Sequence, residues 1–125
     1  MEFYSKGLTM KDIRRGDVVD IDFEPIRGHE IGKTRPAVII QNDIGNRYSP
    51  LVIVAPVRGA EHIKKIYPVI VLVRKGDGEL NKDSVVQCDQ IKSLDKSRIL
   101  RKRGHFGGRI MKKVDIALKN SLVLS

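Results

Sequence analysis

Short, strongly β-forming segments separated by turn-forming residues are the feature that most restricts how this chain can fold. Val18–Phe23 alternates apolar and polar residues, which is the pattern of a half-buried strand. Pro36–Asn42, Leu51–Val57 and Pro68–Val73 are uncharged and rich in valine and isoleucine, so each predicts a buried strand. Strands this short and this closely spaced favour a small antiparallel sheet or barrel.

Glycine and polar residues mark the connections between these strands. Glu24–Thr34 is a charged loop that contains glycine, and Lys75–Lys82 is another turn-rich connection. Asp43–Pro50 consists of turn-forming residues, among which Gly45 and Asn46 are suited to a positive φ angle. We therefore expect all three segments to be loops or turns.

The C-terminal part of the chain adds the last strands and one helix. Ser84–Leu94 predicts a fifth strand with a bend near Asp89, and Asp95 predicts the N-cap of a short helical turn. Ile99–His105 predicts a final short strand, and Arg109–Leu122 shows the periodicity of an amphipathic helix. The predicted inner face of that helix consists of Ile110, Val114, Ala117, Leu118 and Ser121.

Several short strands followed by one helix predict a mainly β fold with an α component: a small antiparallel β-barrel with the helix packed on it. The chain of 125 residues fits one domain, which can bury a core without a disulfide or a metal. The single cysteine, Cys88, is interpreted as a small buried residue. No zinc-site spacing, phosphate-binding loop or dinucleotide motif is present, so no metal and no cofactor is expected.

The chain also lacks the sequence signals of a membrane or exported protein. No apolar run is long enough to span a bilayer, and Met1–Lys11 lacks the apolar stretch of a signal peptide. We therefore expect a cytoplasmic protein with no membrane partner.

Positive charge is concentrated near the C-terminus. The whole chain carries a net charge of +9, and Lys92–Lys119 contains ten lysines or arginines against two aspartates. A one-sided field of this kind attracts a polyanion, either a nucleic acid or an acidic protein. The alternative interpretation is a solubilising face without a specific partner.

Three segments, taken in order, resemble the MazF/PemK/Kid family of toxins. They are RRGDVVDIDFEPIRGHEIGKTRPAVIIQND (Arg14–Asp43), IGNRYSPLVIVAPV (Ile44–Val57) and DSVVQCDQIKSLDKSRI (Asp83–Ile99). The resemblance implies one toxin domain over residues 14–125 with an N-terminal extension over residues 1–13. It also implies an SH3-like barrel of the CcdB/Kid type with a C-terminal helix.

The activity implied by the resemblance is that of a toxin from a toxin–antitoxin pair, a sequence-specific endoribonuclease that cuts single-stranded mRNA and so inhibits translation and growth. The 2′-hydroxyl would attack the adjacent phosphate without a metal ion and leave a 2′,3′-cyclic phosphate. The implied partners are single-stranded RNA, an acidic antitoxin protein and a second copy of the chain. Strand edges and the terminal helix would form the two-fold interface of that homodimer.

The same resemblance assigns roles to individual residues. Arg35 would be the main catalytic arginine, because a guanidinium neutralises the charge that develops on phosphate. Asp89 and His29 would act as base and helper. Further RNA contacts are expected from polar residues near these positions: Arg27, Lys33, Thr34, Gln41, Asn42, Arg47, Ser49, Gln87 and Gln90.

Each catalytic candidate also has a structural interpretation. Arg35 before Pro36 could be a solvated charge at the start of a strand, and His29 could be an ordinary exposed histidine. Asp89 could be a structural carboxylate that binds a backbone turn.

Two departures from the family pattern concern catalysis. Arg58 occupies the position of a threonine that is catalytic in many members, and Gln87 replaces an arginine of the Kid-like branch. Arg58 could bind phosphate as a second cation, or it could block the site. A catalytically impaired protein that binds RNA or antitoxin is therefore the second hypothesis. A gyrase poison of the same fold is a more distant third, because it would not need Arg35.

Overall fold

The computed structural model describes residues 12–23 and 33–125, and the backbone of a short antiparallel pair, β1 (Tyr4–Ser5) and β2 (Leu8–Thr9). Arg27, His29 and most of the predicted loop Glu24–Thr34 lie outside the described residues. In the described part, no helix is long and apolar enough to cross a membrane.

Seven further strands form one antiparallel sheet. Their bounds are β3 (Asp17–Asp22), β4 (Thr34–Ile39), β5 (Leu51–Gly59), β6 (Ile70–Val73), β7 (Ser84–Gln87), β8 (Lys92–Asp95) and β9 (Ile99–His105). The spatial order is β6-β7-β5-β4-β3-β9, and β8 pairs with the first half of β5. Two helices complete the fold, α1 (Asp43–Tyr48) and α2 (Gly108–Leu122). The predicted antiparallel β fold with a C-terminal helix is confirmed.

The sheet has an apolar layer on each face. On one face Val18, Val38, Val57 and Val86 pack with the helix residues Met111, Val114 and Ala117. The opposite face carries a second cluster, which consists of Ile13, Val19, Ile21, Phe23, Ala37, Ile39, Val52, Val54 and Ile99. Each fully buried side chain of this type contributes roughly 1.5–3 kcal/mol to folding.

The interpretation of Val18–Phe23 as a half-buried strand is wrong, because β3 lies in the middle of the sheet and both of its faces are covered. Asp17 is completely buried and Asp20 is 7% exposed. Side chains of β9 compensate both carboxylates: the Lys102 ammonium pairs with Asp17, which also contacts the His105 ring, and the Arg101 and Arg103 guanidiniums pair with Asp20. Asp20, in the middle of the alternating pattern, therefore faces ion pairs and not solvent.

The prediction of a turn over Asp43–Pro50 is also wrong, because the segment forms helix α1. The Asn42 side chain accepts a hydrogen bond from the Gly45 backbone N–H, which caps the helix. The amide of Asn46 is buried and donates to the Gln41 carbonyl oxygen. Side-chain capping thus gives these turn-forming residues a helical conformation.

The predicted single bent strand Ser84–Leu94 is in fact two strands. β5 is nine residues long, and its two halves take different partners: β8 pairs with the first half and β7 with the second. The chain must therefore turn between β7 and β8, and the Gln90 N–H donates to the Gln87 carbonyl oxygen within that turn. Asp89 lies in the turn and not within a strand.

A turn between β6 and β7 joins the two ends of the sheet. This 3-10 turn, Asp77–Glu79, packs against β9, and the Arg103 guanidinium donates to the Glu79 carbonyl oxygen at 3.3 Å. Gly78 and Gly104 make the close approach possible, because a Cβ on Gly104 would lie 2.6 Å from the Gly78 backbone. Close packing and the Arg103–Glu79 hydrogen bond, and not pairing between strands, give the open sheet its barrel-like closure.

Candidate active site

The strand register places three of the predicted site residues on one face of the sheet. Ala37 of β4 lies opposite Pro56 of β5, so Arg35 and Arg58, each two residues further along, share that face. Arg58 lies opposite Val85 of β7. Gln87 is therefore its diagonal neighbour on the same face, within reach of a long side chain.

Two polar atoms at this face are buried without a hydrogen-bond partner among the described residues: Nε of Arg58 and Oε1 of Gln87. Gln87 is only 5% exposed. Burying a polar group without a partner costs about 1–3 kcal/mol, so native proteins rarely retain one without a functional reason. Here a donor and an acceptor lie on neighbouring strands, and a ligand with complementary groups would satisfy both.

Gln87 and Asp89 line a cavity of about 340 Å³ together with the segment that precedes β6. That segment contributes His62, Ile63, Lys64, Lys65 and Tyr67 to the lining, and Ile70 of β6 completes it. Aromatic rings and lysines in one cavity are typical of sites that stack bases and hold phosphates. These residues were missed from the sequence, although the lysine pair so close to Tyr67 was a readable signal.

Arg35 stands at the start of β4, paired in register with Ile21 and half-buried. Lys33 and Thr34 precede it and are exposed at the same end of the sheet. Lys33 has a positive φ angle of 64°, which bends the chain sharply into the strand. This end of β4 is therefore the one that presents cations.

Other predicted RNA contacts lie at the opposite end of β4, roughly 20 Å away along a six-residue strand. Gln41 donates to Asn46 and to the Leu51 carbonyl oxygen, and Asn42 caps α1. Ser49 accepts a hydrogen bond from the Leu51 N–H. The structure does not bring Gln41, Asn42, Arg47 and Ser49 to the Arg35 end, and contact with RNA stays a prediction for them.

Cys88 and Asp89 are neighbours with different surroundings. Burial raises the pKa of the Cys88 thiol to about 12, so it is protonated at neutral pH and is no nucleophile. The expectation that Cys88 is a small buried residue is confirmed. Asp89 is exposed at the mouth of the cavity, and Gln90 beside it is half-buried.

No group of three His, Cys, Asp or Glu side chains that could hold a metal ion occurs in the described ranges.

Comparisons with known proteins decide which family the chain belongs to. A family model described as a PemK-like, MazF-like toxin of type II toxin–antitoxin system matches residues 14–122. The chain is a member of this toxin family.

Relatives and solved structures agree with that assignment. This toxin is 46% identical to an endoribonuclease MazF from Staphylococcus saprophyticus, over 90% of this chain and 92% of that protein. A MazF (Form-I) from Deinococcus radiodurans is 28% identical, with a TM-score of 0.73 over 89% of this chain and 96% of that one. A MazE–MazF structure (Form-II) from the same organism is 28% identical, with a TM-score of 0.71 over 90% and 97%. The expected endoribonuclease toxin and its barrel-like fold are confirmed.

The basic C-terminal segment of this toxin is less available to RNA than its charge suggests. Arg101, Lys102 and Arg103 form ion pairs with the buried aspartates of β3. Lys96 is 1% exposed, donates to the carbonyl oxygens of α1 residues Gly45 and Asn46, and has a pKa that burial lowers. Part of the positive charge that was predicted to attract a polyanion is therefore paired with buried aspartates or buried inside the fold.

Proposed function

We propose that this toxin cuts single-stranded RNA at a short sequence, without a metal ion, at the sheet face that carries Arg35, Arg58 and Gln87. The observation that carries the proposal is the buried Nε–H of Arg58, which has no acceptor among the described residues and shares its face with Arg35. Two guanidinium groups on one face suit a phosphate whose negative charge increases during the reaction.

The reaction proposed is an internal transesterification. The 2′-oxygen forms a bond to the adjacent phosphorus while the bond from phosphorus to the 5′-oxygen breaks. The 2′-hydroxyl proton passes to a base, for which Asp89 is the candidate, and the 5′-oxygen leaves as a hydroxyl after it gains a proton. Arg35 donates hydrogen bonds at the phosphate and, with His29 as helper, is the candidate source of that proton.

Arg58 is proposed to act as a working second cation. Thr at this position could only donate a hydrogen bond, whereas a guanidinium also neutralises charge on two phosphate oxygens at once. Gln87, its diagonal neighbour, is proposed to bind a base or a ribose hydroxyl through its unpartnered Oε1.

The partners of this toxin are proposed to be a second copy of the chain and an acidic antitoxin. Support for the homodimer comes from apolar side chains that are exposed on α1 and at the start of β5: Ile44, Tyr48, Leu51 and Ile53. Leu122 and Leu124, at the end of α2, are also exposed. The solved MazE–MazF relatives support an antitoxin, and cytoplasmic RNA is the expected target.

The test of the mechanism is Arg35→Ala, with Arg14→Ala as the matched control at an exposed arginine outside the site. Arg35→Ala should reduce cleavage of a random single-stranded RNA pool by at least ~100-fold, the usual effect of removing one preorganised charge stabiliser. Cleavage should persist in EDTA, leave 5′-hydroxyl ends and fail when the sugar at the cut site is 2′-deoxy. Activity that disappears in EDTA would contradict the mechanism.

Arg58→Thr separates the enzyme from the impaired binder. If Arg58 is a working cation, the variant cleaves RNA as well as the wild type or less well. A wild type that cuts no RNA, beside an Arg58→Thr variant that does, would overturn the proposal and establish the binder.

A further inference from the structure

A second histidine, His62, lines the cavity of the candidate active site, and the proposed cleavage chemistry gives it no role. It follows Arg58 by four residues, in the 3-10 turn Ala60–His62 that leads out of β5. His62 shares the cavity of about 340 Å³ with Gln87 and Asp89. The cavity therefore contains an imidazole and a carboxylate, the two kinds of side chain that enzymes use most often to move protons.

The turn that carries His62 is fixed to the sheet. The Ala60 N–H donates to the Asp83 carbonyl oxygen at 2.9 Å, which continues the pairing of β5 with β7 beyond the end of β5. His62 is thereby held by the strand that also carries Arg58. A residue that transfers a proton must be positioned in this way, because the transfer requires a defined geometry.

A carboxylate lies beside the His62 ring. Nε2 of His62 is 3.8 Å from Oε2 of Glu61, and Lys82 donates a hydrogen bond to the same oxygen at 2.6 Å. The hydrogen bond from Lys82 is the largest cause that lowers the pKa of Glu61 below its ordinary value. The Glu61 carboxylate therefore stays ionised and attracts the protonated ring. Enzymes commonly orient a catalytic histidine with a carboxylate in this manner.

Gly59 allows this ion pair to lie close to Arg58. A Cβ on Gly59 would lie 2.7 Å from Cε of Lys82 and would also collide with the Glu61 carboxylate, so a larger residue would push the ion pair aside. Arg58 is the next residue in the strand, and its Nε is buried without a hydrogen-bond partner among the residues that the structure describes. A phosphate-binding guanidinium and an oriented imidazole thus belong to one short segment, residues 58–62.

The leaving 5′-oxygen needs a proton, and an imidazolium is better suited to supply it than a guanidinium. Arginine stays protonated in proteins, whereas histidine side chains exchange a proton near neutral pH. Arg35 therefore serves the reaction best by keeping its charge on the phosphate. His29, the helper that the family resemblance implies, lies outside the described residues.

We propose that His62 is the general acid of this toxin and that Glu61 and Lys82 are the positioning residues that hold it. This inference rests on the proposed function, because it concerns the same cleavage reaction. The imidazolium N–H gives its proton to the 5′-oxygen as the bond from that oxygen to phosphorus breaks. Asp89 accepts the 2′-hydroxyl proton while the 2′-oxygen bonds to phosphorus. Proton exchange with water then returns both groups to their starting forms.

The test compares two oligonucleotides that differ only in the leaving atom. Their sequence is read from the products of a random single-stranded RNA pool, and the cut bond carries either the natural 5′-oxygen or a 5′-sulfur. A thiolate leaves without a proton, because a thiol is far more acidic than an alcohol. His62→Gln should slow single-turnover cleavage of the oxygen substrate at least ~100-fold and that of the sulfur substrate by no more than about threefold.

The positioning residues should show the same dependence on the leaving atom. Glu61→Gln and Lys82→Met should slow the oxygen substrate about tenfold and leave the sulfur substrate nearly unchanged, because they remove the support of the ring and not the ring itself. Both side chains are more than half exposed, so these variants test the proposal without altering the core.

Two further variants serve as comparisons. Arg35→Ala should slow both substrates alike, since negative charge develops on the phosphate with either leaving atom. His105→Gln is the matched control, because His105 also contacts a carboxylate, that of Asp17, but lies on β9 at the other end of the sheet from β6. It should change neither rate by more than about twofold. Circular dichroism establishes that each variant is folded.

The possible results separate this proposal from the proposed function. Equal slowing of the two substrates by His62→Gln, or no slowing of either, would overturn the assignment of His62. So would a loss of affinity for a 2′-deoxy oligonucleotide that accounts for the whole effect, since His62 would then only bind RNA. If Arg35→Ala is inactive while His62→Gln cuts normally, His62 alone is refuted. A wild type that cuts neither substrate refutes the proposed cleavage together with its general acid.

Discussion

At the scale of single residues, Arg58 and Gln87 show how a site can be prepared at the expense of stability. Each leaves a polar atom buried without a partner among the described residues. If these positions served folding alone, an apolar side chain of similar shape would make the fold more stable, because no buried polar atom would then lack a hydrogen-bond partner.

Replacing Gln87 by an apolar isostere should therefore separate stability from function. Gln87→Leu is expected to leave the free energy of unfolding unchanged or to raise it by up to about 1 kcal/mol, since it removes an unsatisfied carbonyl from a buried position. Cleavage and RNA affinity should fall. Urea unfolding and a cleavage assay on the same sample measure the two effects. A loss of stability above about 1 kcal/mol would show that Gln87 has a structural partner instead.

At the scale of elements, α1 is held in place by side chains that bind backbone. The Asp43 carboxylate accepts hydrogen bonds from the Arg15 backbone N–H at 2.7 Å and from the Asn46 amide at 3.0 Å. These hydrogen bonds, the Arg15 one foremost, lower the pKa of Asp43 below its usual 3.8. Arg15 also binds Asp115 of α2 at 2.6 Å, so one short segment links both helices to the sheet.

The stability contributed by Asp43 should depend on pH in a defined direction. A carboxyl whose pKa is depressed in the folded state stabilises the fold above its unfolded pKa, and the effect is lost as the pH falls through the lower folded value. Asp43→Ala should cost about 1 kcal/mol at pH 7, a modest value because the group is largely exposed. The difference from the wild type should shrink below pH 3.8. Urea unfolding at pH 7 and below pH 3.8 measures this difference, and Asp12→Ala serves as a control at an exposed aspartate. A stability difference between Asp43→Ala and the wild type that grows in acid would contradict the prediction.

The same element shows which parts of the fold the sequence could predict. Apolar periodicity located the strands and α2, because side-chain burial follows a regular repeat. It could not locate α1, whose helical form depends on Asn42 and Asn46 binding particular backbone groups. Apolar periodicity could not predict the strand partners either. No local sequence feature indicates that the first half of β5 pairs with β8 and the second half with β7. For the site, family resemblance supplied Arg35, Arg58 and Asp89, but only the register revealed that Gln87 lies diagonal to Arg58.

At the scale of the whole molecule, the distribution of exposed apolar side chains bears on the proposed homodimer. Ile44 is 76% exposed and Tyr48 is 68% exposed on α1, and both lie one helical turn apart on the same side. Leu51 and Ile53 follow directly in β5. This surface is the proposed contact between two copies of the chain, since burial there would remove its apolar side chains from water.

A charge on this surface should dissociate the proposed homodimer. Ile44→Asp is expected to weaken self-association at least about tenfold, because a carboxylate would be buried without a partner. Leu100→Asp, at an apolar site of similar chemistry on β9, should leave it unchanged. Sedimentation equilibrium over a micromolar concentration range measures both. A wild type that is monomeric throughout this range would contradict the homodimer.

The turn Asp77–Glu79 ties the first strand of the spatial order to the last, and this has a consequence for thermal fluctuations. An open sheet normally frays from its two edges independently. Here any fluctuation that peels β6 outward must also pull the turn away from Gly104 and break the bond between Arg103 and Glu79. Fraying at one edge is thereby coupled to loss of packing at the other, so partial opening is suppressed. The two edges of the sheet should therefore open together in one step, and not strand by strand.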